Sequence, residues 1–143
     1  NYCTEPERHG HRYVSKEAFD QMNFFEKTAY AGVRYGTRKE DIQELLDQGK
    51  FAVIPVDMCG AIAMKRSFPT HIIYVARDKE KLIADIIESD YDTEEKTLRI
   101  LSIDAEKRNR KICDYVIHND TITGDFVSGA EELRKLIMPE SEK

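Results

Sequence analysis

Glu26, Thr37 and Asp57 are the residues whose types and spacing could do chemistry. Phe24-Phe25-Glu26 is followed by eight residues and then Tyr35-Gly36-Thr37, and Asp57 comes twenty positions later, just past the apolar run Phe51–Val56. A carboxylate accepts through two oxygens, so it can take a pair of adjacent N–H donors at once. The N1–H and N2–H₂ edge of guanine is such a pair, and a neighbouring hydroxyl such as Thr37 can donate to O6. Asp57 falls at the carboxyl end of a candidate strand, where open α/β sheets bind their ligands. Each residue also has a plainer use: Glu26 as a solvated acid, Tyr35 as packing, Asp57 as the cap of the next helix.

Other chemistries are excluded more simply. His11, His71 and His118 have no partner at ligand spacing, so no metal site is expected. The three cysteines, Cys3, Cys59 and Cys113, are odd in number and form no CxxC, which argues against a disulfide framework or a thiolate zinc site. Cys59 and Cys113 read as small buried hydrophobes. A net charge of −5 speaks against a nucleic-acid partner. No apolar run reaches the ~20 residues of a spanning helix, so no membrane partner is expected. These readings together predict a soluble, cytoplasmic domain.

The elements that must position the candidates follow from periodicity. Asn1 to Gly10 reads as polar and irregular, with Pro6 and Gly10 as breakers. Arg12–Val14 is a short strand candidate, and Ser15 can cap a helix over Lys16–Met22. Phe24–Tyr30 and Val33–Tyr35, joined at Ala31-Gly32, read as an antiparallel meander. Ile42, Leu45 and Leu46 fall at helical spacing up to Gln48-Gly49. Phe51–Ile54 and Ile72–Ala76 then read as parallel strands covered on both faces. A short helix around Ala61–Arg66 lies between them. Asp78 can cap a helix with Leu82, Ile83, Ile86 and Ile87 as its stripe, and Thr93 another to about Arg110, with Leu98, Leu101 and Ala105 inward. Asp114–His118 is a third short strand and Ala130–Met138 a terminal helix. Strands alternating with helices mean an α/β fold with a parallel sheet.

In register, these segments resemble guanylate kinases and guanylate kinase-like domains. The resemblance rests on Tyr13-Val14-Ser15, on Phe24 to Thr37 ("FFE…YAG..YGT"), and on Gly49 to Gly60 ("GK…VDM.G"). It continues through Phe68 to Val75 ("FP..IIYV"), Thr93 to Glu95 ("TEE") and Asp114 to Asp120 ("DYVIHND"), running in order from about Tyr13 to Leu136. It implies a nucleoside-monophosphate-kinase-like parallel sheet with helices on both faces, plus a small antiparallel GMP-binding meander. The nucleotide-monophosphate region would span about 12–37 and the lid-like helices about 78–110. By the same resemblance Glu26, Thr37 and Asp57 face the guanine of GMP and Tyr35 its phosphate. Arg8 and Arg99 become phosphate contacts, and Asn119 and Asp120 fall in the adenine-side loop.

The departures are as informative. The family's arginine-bearing segment before Tyr13 reads Tyr2-Cys3-Thr4-Glu5-Pro6-Glu7-Arg8, keeping at most Arg8, and His11 stands where the family has a phosphate-binding tyrosine. Pro55 replaces the first aspartate of a pair, and Arg99 is shifted by one. Glu88 to Glu95 places five carboxylates in eight residues of the lid, repelling a triphosphate. No GxxxxGK[ST] phosphate loop occurs among the 143 residues, so no catalytic residue is assigned. The expectation is a single, N-terminally incomplete guanylate kinase-like domain lacking the first strand and P-loop. It would lack kinase activity as given, and would bind GMP weakly or a protein ligand in the same cleft. The alternative is a truncated active guanylate kinase, moving phosphate from ATP to GMP with Mg²⁺.

Overall fold

The computed structural model describes residues 1–6, 10–119, 131 and 133–135. The chain divides into two compact units, Asn1–Phe68 and Pro69–Lys143.

The first unit is built on a four-stranded sheet in the order β2-β1-β4-β3. Its strands are β1 (Tyr2–Cys3), β2 (Arg12–Tyr13), β3 (Glu26–Tyr30) and β4 (Val33–Thr37). β3 and β4 form the expected antiparallel hairpin, with Glu26 opposite Thr37 and Tyr30 opposite Val33. The two-residue connection has positive φ at both Ala31 (48°) and Gly32 (76°). That is the geometry whose twist matches a hairpin, natural for glycine and costly for alanine. α1 (Lys16–Gln21) starts where Ser15 Oγ accepts from the Ala18 amide, as the sequence anticipates. α2 (Lys39–Asp47) follows β4 and buries Ile42.

The opening residues correct the sequence reading. Tyr2 and Cys3 are not irregular: they form β1, antiparallel to β4 and parallel to β2, and Cys3 is fully buried. Two residues are too few for any period to announce a strand. On one sheet face the aromatic rings of Tyr2, Phe19 and Phe24 pack together. Gly36 is required there: a Cβ on it would lie 2.7 Å from the Phe24 ring.

Phe51–Ile54 is a second correction. Residues 51–57 carry no strand ladder, and Phe51 and Val53 are 61% and 77% exposed. An apolar, β-favouring composition becomes a strand only when another strand accepts its backbone, and no strand of the described residues pairs with this one. The segment leads instead into α3 (Met58–Ser67). Cys59, expected to be buried, is exposed in the first turn of α3, and Cys113 is only partly covered.

In the second unit β5 (Ile73–Ala76) and β6 (Tyr115–His118) pair in parallel, in the register Ile73 to Tyr115 through Ala76 to His118. The expected cover on both faces fails at Val75, which is exposed. Between the two strands lie α4 (Lys79–Glu88) and α5 (Thr93–Asn109), followed by a single 3₁₀ turn. Asp78 caps α4 as expected, accepting from the amides of Glu80 and Lys81. α5 is capped by Asp92, accepting from Glu95, and not by Thr93, which is already helical.

The inward stripe of α5 is also rotated from its expected place. Leu98, Leu101 and Ala105 are exposed, whereas Glu95 and Ile103 are buried. Glu95 and Arg99 neutralise each other, so two residues that hydropathy assigns outward occupy covered positions. Of the expected terminal helix Ala130–Met138, the described residues 131 and 133–135 are helical and the rest lies outside the described residues.

Candidate functional site

Antiparallel pairing puts directly opposed residues on the same face, and alternation carries that face along both strands. Because Glu26 opposes Thr37 and Thr28 opposes Tyr35, one face of the β3–β4 hairpin carries Glu26, Thr37 and Tyr35 together. Cys3, opposite Tyr35, continues the row onto β1. The Thr37 hydroxyl, 4% exposed, lies 3.4 Å from Glu26 Oε2 and 2.7 Å from Asn1 Oδ1. The His11 ring meets the Tyr35 ring edge-on, with centroids 5.2 Å apart.

The third component comes from α3. Asp57 is its N-cap, with Oδ1 accepting from the Gly60 amide at 2.8 Å. The plainer cap reading of Asp57 is therefore real, and it coexists with a place beside Glu26. α3 packs against β3, and a Cβ on Gly60 would lie 3.1 Å from Glu26 Cδ and Oε1. Glycine at this point lets the Glu26 carboxylate rest on the first turn of the helix. A carboxylate is favoured there by the partial positive charge of the helix N-terminus.

The electrostatics of Glu26 follow from this packing. Burial pushes its carboxyl above the ordinary 4.5, and the negative charge of Asp57 pushes the same way. The Thr37 hydroxyl, 3.4 Å away, opposes both as the smallest of the three influences. No cation pairs with Glu26 among the described residues. The result is a half-buried acceptor, short of donors, beside a second carboxylate. Chemically it suits a neutral ligand edge rich in N–H groups. Among the described residues no cluster of three or more His, Cys, Asp or Glu is placed to hold a metal ion, and no helix is long and apolar enough to cross a membrane.

The structure thus brings together Glu26, Thr37 and Asp57, with Tyr35 two cross-strand pairs along on the same face. Sequence reasoning missed Asn1 and Gly60 at this site. Gly60 had a signal in the glycine three residues after a capping Asp, whereas an asparagine before a two-residue strand has none. Arg99 and Asn119 belong to the second unit. Arg99 bonds Glu95 Oε1 through Nε (3.0 Å) and Nη2 (2.6 Å) and lies over the Tyr91 ring at 4.1 Å. The Asn119 amide donates to the Ala76 carbonyl, and its own carbonyl accepts from Arg77. Arg8 and Asp120 lie outside the described residues.

Known proteins agree with this architecture. A family model described as guanylate kinase matches residues 3–136. The guanylate kinase of Chlamydia trachomatis serovar D is 28% identical over 130 residues, covering 90% of this chain and 62% of its own length. That of Chlamydia muridarum is 28% identical over 145 residues, covering 96% of this chain and 69% of its own. The chain therefore spans about two thirds of the length of these relatives, and slightly less for the first. The crystal structure of guanylate kinase from Anaplasma phagocytophilum superposes with a TM-score of 0.70, covering 99% of this chain and 74% of that one. At 17% identity this last likeness speaks for the fold. With a mixed α/β fold of that kind and a family match over most of its residues, the chain belongs to the guanylate kinase family.

Proposed function

We propose that the first unit is a guanine-nucleotide site in which Glu26 reads the base of GMP. The observation that carries this reading is the half-buried Glu26 carboxylate, seated on the α3 N-terminus between Thr37 and Asp57. Its two oxygens accept N1–H and N2–H₂, and Asp57 supplies a second acceptor on the same side. Tyr35, on the same hairpin face, takes the phosphate side together with Arg8. Perturbed titration of a carboxylate beside a second carboxylate is the pattern expected of a binding site.

As a ligand-binding unit the 143 residues would hold GMP without phosphorylating it, since they contain no GxxxxGK[ST] loop to cradle a donor phosphate. Titration calorimetry with GMP tests this. The chain should bind GMP, Glu26→Ala should abolish binding, and AMP, which offers no N1–H, should not compete. Absence of GMP binding would sink the reading and leave a protein ligand in the cleft as the occupant.

A second reading is favoured by the names of the relatives, which are guanylate kinases longer than this chain. In that reading the protein that contains these residues transfers phosphate from ATP to GMP with Mg²⁺. Arg99 would then act on the phosphates, and Asn119 and Asp120 near the adenine. ADP formation from ATP plus GMP, measured on the full coding sequence, decides it; no turnover above background would remove it.

A further inference from the structure

Thr37 has one hydroxyl proton and two oxygens within reach. Asn1 Oδ1 lies at 2.7 Å, the ordinary length of an O–H···O bond, and Glu26 Oε2 at 3.4 Å, beyond it. The proton therefore goes chiefly to Asn1, with Glu26 only a long contact. The amide of Asn1 is itself fixed, because its Nδ2 donates to the Pro55 carbonyl at 3.1 Å. A peptide carbonyl only accepts, so the NH₂ end must face Pro55 and the oxygen must face Thr37. The chain of bonds runs one way, from the Thr37 hydroxyl to the Asn1 oxygen and from the Asn1 NH₂ to Pro55. Thr37 is buried, so water is poorly placed to substitute for either bond.

We propose that Asn1 is a positioning residue of the base site: it draws the Thr37 proton away from Glu26, leaving both carboxylate oxygens as acceptors for the ligand. For its ligand the inference rests on the guanine reading above. Two open acceptors favour a base with two adjacent donors, so Asn1 sharpens the preference for guanine over hypoxanthine, which lacks the N2 amino group. Without Asn1 the Thr37 hydroxyl turns to the nearest remaining acceptor, Glu26, and occupies one of the two oxygens.

The test follows the Glu26 carboxyl by ¹³C NMR titration in the full chain, with Asp57 observed alongside, and measures GMP and IMP affinity by calorimetry. In Asn1→Ala the Glu26 midpoint should fall, because a new bond to the charged form favours it. GMP affinity should drop about three- to tenfold, the range for one neutral hydrogen bond, and the GMP/IMP ratio should narrow. In Thr37→Val the Glu26 midpoint should rise by less than it falls in Asn1→Ala, since only the long 3.4 Å contact is lost, and adding Asn1→Ala to that variant should move nothing further. A rise in Thr37→Val as large as the fall in Asn1→Ala would show that Thr37 already donates mainly to Glu26, and an unchanged midpoint in Asn1→Ala would show that the amide directs nothing; either overturns the proposal. A chain that binds no GMP would overturn the guanine reading, while the Glu26 titration would still decide the direction of the proton.

Discussion

The carboxylates of the β3–β4 site and those of the α4–α5 region are treated in opposite ways. In α4–α5, Asp78 and Asp92 cap helices, Glu95 is clasped by Arg99, Asp85 pairs with Arg77, and Asp104 pairs with Lys79. Lys79 holds the Asp104 carboxyl below its ordinary 3.8. Glu26 has no such cation among the described residues, and burial with Asp57 beside it raises its carboxyl. Within the acid run Glu88–Glu95, Asp92 is taken up by a helix end and Glu95 by an ion pair. A single glutamate on a strand keeps unused accepting capacity. Partners, and not the density of charge, separate a binding carboxylate from a structural one.

The sharpest way to break this contrast is to exchange the two kinds of glutamate for alanine. Glu26→Ala should weaken GMP by about 100-fold or more, the loss expected for two hydrogen bonds to a charged group. Glu95→Ala should instead leave GMP affinity nearly unchanged and lower stability by about 1–2 kcal/mol, since a charge-assisted pair is removed from a covered position. Equal effects on GMP would erase the distinction. Next in size is Gly36→Ala, which drives a methyl into the Phe24 ring and should cost about 1–3 kcal/mol in denaturant unfolding. A neutral result would mean the hairpin does not depend on that packing. Asp92→Ala should cost about 1 kcal/mol, the usual value of an N-cap, seen as a lower Tm, whereas Thr93→Ala should cost less because Thr93 is not the cap.

The smallest effect carries the most informative sign. A carboxyl whose folded pKa is raised stabilises the fold below its unfolded value, near 4.5, and loses that contribution as pH rises through the folded value. Glu26→Gln should therefore make the ligand-free chain more stable than the unsubstituted one at pH 7, with the difference vanishing on acidification. Asp104, lowered by Lys79, works the other way: its contribution is present above the unfolded value and is lost as pH falls. Thermal melts of Glu26→Gln and Asp104→Asn between about pH 2.5 and pH 8 check the opposite slopes. A Glu26→Gln chain less stable at neutral pH would contradict the account of the site.

Much of the site was legible because local rules act over few residues. Alternation on two strands with a two-residue connection places Glu26 and Thr37 on one face, and Ser15 and Asp78 announce their helices by type and position. Two of the misreadings concern partners distant in sequence, and a third concerns a charge pair one helical turn apart. Phe51–Ile54 has the composition of a strand, but a strand also needs an edge to pair with, and composition does not supply one. The α5 stripe turned because Glu95 and Arg99 neutralise each other, which no hydropathy period contains. Tyr2–Cys3 became β1 only by pairing with β4, thirty residues on.

By itself, then, the sequence determined which residue types could read a base, the order of the elements and the family they belong to. Each of these is written in neighbouring residues and their periods. Only the tertiary structure decided that Asp57 both caps α3 and bears on Glu26, that Gly60 makes room for the carboxylate, and that Asn1 stands behind Thr37. Those are relations among groups brought together by folding, and the affinity of a carboxylate for its proton or its ligand is set by such surroundings.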